Sequence, residues 1–73
     1  MSDSQNTSVS DVEYNLVTTL SNLLQAGDTL EKYAGDAESA GNSELAQLFR
    51  DLQQSNNSFA QRFRQQLHDL MHH

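Results

Sequence analysis

Two carboxylates at matched levels of a helical pattern are the first candidates for chemistry in this chain. Glu31 lies beside the apolar stripe of a predicted first helix, and Asp51 lies near the same level of a predicted second helix. A dimer of the chain would gather four carboxylates around its middle, and hard divalent cations favour oxygen ligands of this kind. The alternative interpretation is that both are solvated flank charges, paired with Lys32, with Arg50 or with no partner.

Two histidines near the end of the sequence have the spacing of a metal chelate. His68 and His72 are four residues apart, which places both imidazoles on one helical face, and His73 adds a third nitrogen donor. Such a group suits Zn²⁺ or Ni²⁺. The alternatives are a solvated C-terminal turn whose histidines interact favourably with the helix dipole, and the remnant of a purification tag.

Catalytic and nucleic-acid-binding patterns are weak. The chain has no cysteine, no histidine before His68 to activate a serine, no Gly-x-Ser-x-Gly and no phosphate-binding glycine loop. Ten acids against four bases give a net charge of −6 at pH 7, which disfavours binding to nucleic acid and to anionic membranes. We expect a protein that is not an enzyme, holds no cofactor, and binds neither nucleic acid nor membrane.

Length and composition predict an all-α chain that needs a partner. Proline is absent and glycine totals three in 73 residues, so the residues that usually form the turns between strands are nearly missing. An apolar core of this size supplies only about 3–5 kcal/mol, and the chain has no cysteine for disulfides, so oligomerisation is the expected stabiliser. Neither a signal-peptide pattern nor a run of roughly 20 apolar residues is present, and we expect a soluble cytoplasmic protein.

Local signals divide the chain into a disordered polar tail over residues 1–9 and a helical hairpin over residues 10–73. Ser10 and Glu13 have the spacing of a capping box, in which each side chain accepts the other residue's backbone amide. The first helix is therefore predicted over residues 11–40.

The connection between the helices is predicted to be short. Gly41 ends the first helix, because only glycine enters the left-handed conformation without steric cost. The turn is predicted over residues 41–43. Asn42 or Ser43 is placed to cap a second helix over residues 43–71.

Each predicted helix carries one apolar stripe with steps of three and four residues. The stripe of the first helix, widened by Val17 and Leu24, consists of Leu16, Leu20, Leu23, Gly27, Leu30, Ala34 and Ala37. The stripe of the second, widened by Leu48, Ala60, Leu67 and Met71, consists of Leu45, Phe49, Leu52, Asn56, Phe59, Phe63, Gln66 and Leu70. Stripes this broad predict an antiparallel two-helix hairpin that dimerises into a four-helix bundle.

The tight turn predicts the register, with facing residue numbers that sum to about 83–84. Leu24 then meets Phe59, and Gly27 lies opposite Asn56. Two Asn56 amides bonded across a two-fold axis would fix the alignment; alternatively, a local helix rotation turns this polar patch to water. The predicted core and dimer interface comprises Leu16, Leu20, Leu24, Gly27, Leu30, Phe49, Leu52, Asn56, Phe59 and Phe63.

Residues 23–52 resemble the helical hairpin of small bacterial ferritin-like proteins. The resemblance rests on Glu31 and Tyr33 in the first helix, the turn at Gly41, and the segment Glu-Leu-Ala-x-x-Phe-Arg that starts at Glu44. It implies a helical bundle. The same stretch is also compatible with a two-helix dimer of the Rop type.

The ferritin-like resemblance implies a metal-binding role for Glu31. Where that family has Glu-x-x-His on the second helix, this chain has Asp51 and Gln54, which keep a carboxylate but replace the imidazole with an amide. The resemblance therefore implies the helical fold of the family for this chain, and it does not imply the family's oxidase reaction.

The sequence favours a small acidic interaction or scaffold protein that acts as a homodimeric bundle and meets another protein through its acidic surface or its tail. The alternative is a ferritin-like half-bundle that binds a divalent metal through Glu31 and Asp51. Export chaperones and antitoxin-like partners are further roles that such bundles serve, and the sequence does not separate them.

Overall fold

Two α-helices account for nearly all of the described chain. The structure is a computed structural model and describes residues 9–72. Helix α1 spans Val9–Ser39, helix α2 spans Ser43–Met71, and the two pack against each other as an antiparallel hairpin. Residues 9–72 contain no strand, which confirms the all-helical, two-helix prediction. Neither helix is long and apolar enough to cross a membrane.

The start of α1 differs slightly from the predicted boundary. The helix begins at Val9, two residues before the predicted start, and it ends at Ser39, one residue before the predicted end. Apart from Val9, the polar tail predicted over residues 1–9 lies outside the described residues, and so does the side chain of Ser10 with its capping box.

A Schellman turn at Gly41 reverses the chain. The Gly41 amide donates to the Glu38 carbonyl at 3.0 Å, and the Asn42 amide donates to the Ala37 carbonyl at 2.9 Å. Gly41 has a φ of +80°, in the left-handed region that glycine enters without strain. The Asn42 side chain then caps α2 by accepting the Leu45 amide at 3.0 Å. These bonds satisfy backbone groups at the end of α1 and at the start of α2, and they hold the two helices close together.

The core between the helices is built mostly from small side chains. Among the residues whose side chains are described, the buried apolar ones are Leu20, Ala34, Ala37, Ala46 and Ala60. Larger residues of the predicted interface are only half-buried: Leu16, Leu30, Phe49 and Phe63. Small side chains allow the two helix backbones to approach closely, but they remove little apolar surface from water. The hairpin alone therefore has a thin core.

The stripe of α2 that faces α1 differs from the predicted one. The inward positions of α2 are Ala46, Phe49, Gln53, Asn56, Ala60, Phe63, Leu67 and Leu70. Leu24, Leu52 and Phe59, which were predicted in the core or the dimer interface, are 44%, 55% and 48% exposed. Leu23 and Ala60 point inward at the level where Leu24 was predicted to meet Phe59. The predicted register has the correct level but the wrong helix face at this point.

Candidate interaction surface

Five large apolar side chains form an exposed patch on one side of the hairpin, which we call the apolar face. Leu45, Leu48, Leu52 and Phe59 are spaced by three, four and seven residues, so they share one side of α2. Tyr33 joins them from α1, since it lines one surface cleft together with Leu45. All five are exposed, Leu48 by 64%. A contiguous apolar surface of this kind marks an interaction site more often than scattered exposed residues do.

Aromatic packing fixes the end of the apolar face that lies near the turn. The Tyr33 and Phe49 rings are 5.7 Å apart at their centroids and tilted by 57°, within the contact range of aromatic pairs. Asp36 borders the same cleft. Further along α2, the Arg62 guanidinium lies 5.3 Å from the centre of the Phe59 ring, within range of a cation–π contact. Both contacts hold large rings at the surface in defined orientations.

The opposite side of the hairpin near the turn is charged. Glu38 of α1 and Arg50 of α2 form an ion pair there, although both side chains are substantially exposed and such a pair stabilises the fold little. Glu31 lies seven residues before Glu38, and Arg64 lies 14 residues after Arg50. Because residues seven apart share a helix face, both lie on the same side as the ion pair. Charge also borders the apolar face, since Glu44 and Asp51 line a surface cleft together with Leu45 and Leu48.

A smaller apolar groove lies on the charged side, at the open end of the hairpin. It is lined by Glu13, Tyr14, Val17, Leu67 and Met71. Tyr14, Val17 and Met71 are exposed, so this groove is a second surface where apolar side chains contact water. It is separated from the apolar face by the width of the hairpin.

Two side-chain amides connect the helices at mid-height, and we call Gln53 and Asn56 the amide layer. Asn56 Nδ2 donates to the Leu23 carbonyl at 2.7 Å, and Gln53 Nε2 donates to the Gly27 carbonyl at 3.3 Å. Both acceptors belong to one turn of α1, and both amides are partly buried. The predicted layer of Gly27 and Asn56 is present, but the Asn56 amide group bonds the backbone of its own chain. It sets the register within the hairpin.

Gly27 leaves room for Asn56 of the amide layer and for its neighbour Asn57. A Cβ at this position would lie 3.2 Å from Asn57 Oδ1 and 3.4 Å from Asn56 Nδ2, so the Asn57 side chain would have to shift slightly. At Gly35 a Cβ would meet no atom within 4 Å. Gly27 therefore borders packed side chains, whereas Gly35 borders open space.

The three glycines predict three different responses to alanine in thermal unfolding followed by circular dichroism. Gly35→Ala should stabilise the protein by about 0.5–1 kcal/mol, since alanine is the better helix former. Gly27→Ala should gain less, because its methyl group meets the side chains of Asn57 and Asn56 at 3.2 and 3.4 Å. Gly41→Ala should destabilise by about 1 kcal/mol or more, because of its positive φ. An equal gain at Gly27 and Gly35 would show that these contacts at Gly27 cost nothing and would contradict the prediction.

The carboxylates predicted to bind metal lie on the surface of the hairpin. Glu31 and Asp51 are both exposed, and Asp51 accepts a hydrogen bond from Gln47 Nε2 at 3.0 Å on its own helix. Within residues 9–72, no group of three or more His, Cys, Asp or Glu side chains is placed to hold a metal ion. A divalent metal at Glu31 and Asp51 thus stays a prediction that no contact within one chain supports.

The histidine pair is brought together at the end of α2. The His68 and His72 rings are 4.4 Å apart at their centroids and inclined by 31°, and both side chains are exposed. His73 lies outside the described residues.

Comparisons of the chain with known protein families, with curated proteins and with solved structures find no match. The resemblance of residues 23–52 to ferritin-like hairpins consequently stays a prediction.

Proposed function

We propose that this chain is a non-enzymatic interaction module that works as a homodimer, in which two apolar faces pack together to form a four-helix bundle. The observation that carries the proposal is that small side chains fill the core of the hairpin while large apolar side chains lie at its surface. Among the residues whose side chains are described, four of the five buried apolar ones are alanines, while Leu45, Leu48, Leu52 and Phe59 contact water. Burying a leucine or phenylalanine fully contributes about 1.5–3 kcal/mol, so these four side chains retain apolar stabilisation that one hairpin does not use.

Charge supports a second copy as the occupant of the apolar face. Glu44 and Asp51 line a surface cleft together with Leu45 and Leu48, so the end of the face near the turn is acidic. Arg62 lies against the aromatic ring at the far end of the face, so that end carries a positive charge. The acidic end of one face and the Arg62 end of a second copy attract each other when the two faces meet in opposite directions.

The distribution of apolar side chains favours one docking orientation. Four of the five members of the apolar face belong to α2 and only Tyr33 belongs to α1. Packing α2 against α2 of the second copy buries the most apolar surface. A two-fold axis along these helices would make them parallel, and one perpendicular to them makes them antiparallel. We propose the antiparallel pairing, because it brings the acidic end of each apolar face to Arg62 of the other copy. The two turns lie at opposite ends of the bundle. Residues near the middle of α2 come close to their own copies.

Crosslinking of single-cysteine variants tests this interface, since the chain has no native cysteine. Ser55 lies between Leu52 and Phe59 near the middle of α2, and Asn57 lies seven residues from Arg50, on the charged side; both are exposed. We expect a short bis-maleimide to link Ser55→Cys into covalent dimers efficiently and Asn57→Cys poorly. Efficient linking of Asn57→Cys alone would place the contact on another surface and overturn the proposal.

The outer surface of the proposed dimer suits a second protein as partner. After two apolar faces are buried, the acidic side chains of α1 dominate what remains exposed, and they complement a neutral or basic protein surface. This supports a scaffold role in which the dimer presents two copies of one acidic surface. Passing a labelled dimer over immobilised cationic and anionic peptides tests the charge preference, and equal retention on both would count against it.

A further inference from the structure

The histidine pair at the end of α2 is a chelating group that the proposed interaction function does not use. His68 and His72 lie on one helical face one turn apart, with ring centroids 4.4 Å apart. With the rings this close, rotation about the side-chain bonds can direct one nitrogen of each ring at a single ion. The pair is exposed, and an ion can reach it without opening the hairpin.

We propose that His68 and His72 bind a borderline divalent transition-metal ion, of the class of Zn²⁺, Ni²⁺ or Cu²⁺. Imidazole nitrogen is a preferred ligand for these ions, whereas Mg²⁺, Ca²⁺ and Mn²⁺ favour oxygen ligands. The protein supplies two ligands, and water completes the coordination. The oxygen ligands Glu31 and Asp51 play no part in this site.

The surroundings of the pair favour a cation on balance. The His72 amide donates to the His68 and Asp69 carbonyls at 3.1 and 3.3 Å, so the pair lies at the negative end of the helix dipole. Asp69 adds a carboxylate between the two histidines, where it accepts Gln65 Nε2 at 3.0 Å. Arg64 opposes these effects, since it lines the same cleft as His68.

Binding at this site should stabilise the end of α2. One ion held by both rings ties the last turn to the turn before it, and a ligand that binds the folded chain preferentially raises its melting temperature. The effect needs both histidines. It does not depend on dimerisation, because both ligands come from one helix.

Isothermal titration of the full chain with ZnCl₂, NiCl₂ and CuCl₂, with MgCl₂ for comparison, tests the site. We expect His68→Gln and His72→Gln each to weaken transition-metal binding by roughly tenfold or more, through loss of the chelate. His73→Gln should change the affinity by less than about threefold, since it leaves the chelate intact. Both His68 and His72 are exposed, so circular dichroism should show the variants folded like the wild type.

A variant with the same number of histidines at a different spacing distinguishes chelation by a histidine pair from binding that depends only on the number of imidazoles. The double variant Gln61→His/His68→Gln keeps three histidines but places positions 61 and 72 eleven positions apart, about 16 Å along the helix. We expect it to bind as weakly as His68→Gln. Full affinity in this variant, or full affinity in His68→Gln, would show adventitious binding by terminal imidazoles and overturn the proposal.

Discussion

Leu52→Glu should dissociate the dimer and lower the melting temperature. Leu52 lies at the centre of the apolar face and is 55% exposed in one hairpin, so the proposed dimer buries it further. Losing about 1–2 kcal/mol of apolar burial from each copy, with the added cost of desolvating two carboxylates, weakens association at least about 100-fold. Sedimentation equilibrium at micromolar concentration should show a monomeric mass, and circular dichroism should show reduced helix content.

Val17→Glu is the matched control for this prediction. Val17 is 47% exposed on the opposite side of the hairpin, so it undergoes a similar loss of apolar surface and gains the same charge. We expect it to remain dimeric. If Val17→Glu dissociates the protein while Leu52→Glu does not, the groove at Tyr14 and Met71 is the contact surface and the apolar face is not.

Asn56→Asp should destabilise the hairpin by about 2–3 kcal/mol, although it changes one amide nitrogen to oxygen. The substitution removes the donor that contacts the Leu23 carbonyl at 2.7 Å and places an acceptor against an acceptor. A partly buried carboxylate without its hydrogen bond is costly because water cannot solvate it fully. Urea unfolding followed by circular dichroism, at one fixed protein concentration, measures the change in free energy.

The neighbouring residue supplies an isosteric control for this prediction. Asn57 is exposed, so Asn57→Asp introduces the same charge one position away with nearly full solvation. We expect a change within about 0.5 kcal/mol. Equal destabilisation by the two variants would mean that added negative charge, and not the bond to Leu23, causes the loss.

The turn and the level of the facing residues were predictable because local chemistry specifies both. Gly41 and Asn42 have few alternatives to ending one helix and capping the next. A short turn leaves little freedom in register, which is why Gly27 and Asn56 lie at one level. The choice between Leu24 and Leu23 as inward residues depends on a rotation of a fraction of a turn, which a broad apolar stripe does not fix.

The inward face of α2 was predicted only in part, because large apolar residues were expected inside. Half of the predicted stripe, including Asn56, lies inward, and the other half is exposed. Apolar side chains are common at protein surfaces, so size alone does not identify the buried face. Ala46, Gln53 and Ala60 lie between the inward residues of the predicted stripe and complete steps of three and four, and this pattern was the available signal. Gln53 was missed because a buried amide needs a partner, and the assembled hairpin brings its acceptor, the Gly27 carbonyl, within reach.

The mass of the wild-type chain in solution tests the central claim most directly. Sedimentation equilibrium from about 1 to 100 micromolar should give twice the chain's mass of 8.2 kDa, with dissociation only at the dilute end. The melting temperature should rise with concentration over the same range, because association stabilises the folded hairpin. A fully helical chain with a mass of 8.2 kDa throughout and a constant melting temperature would contradict the proposed dimer.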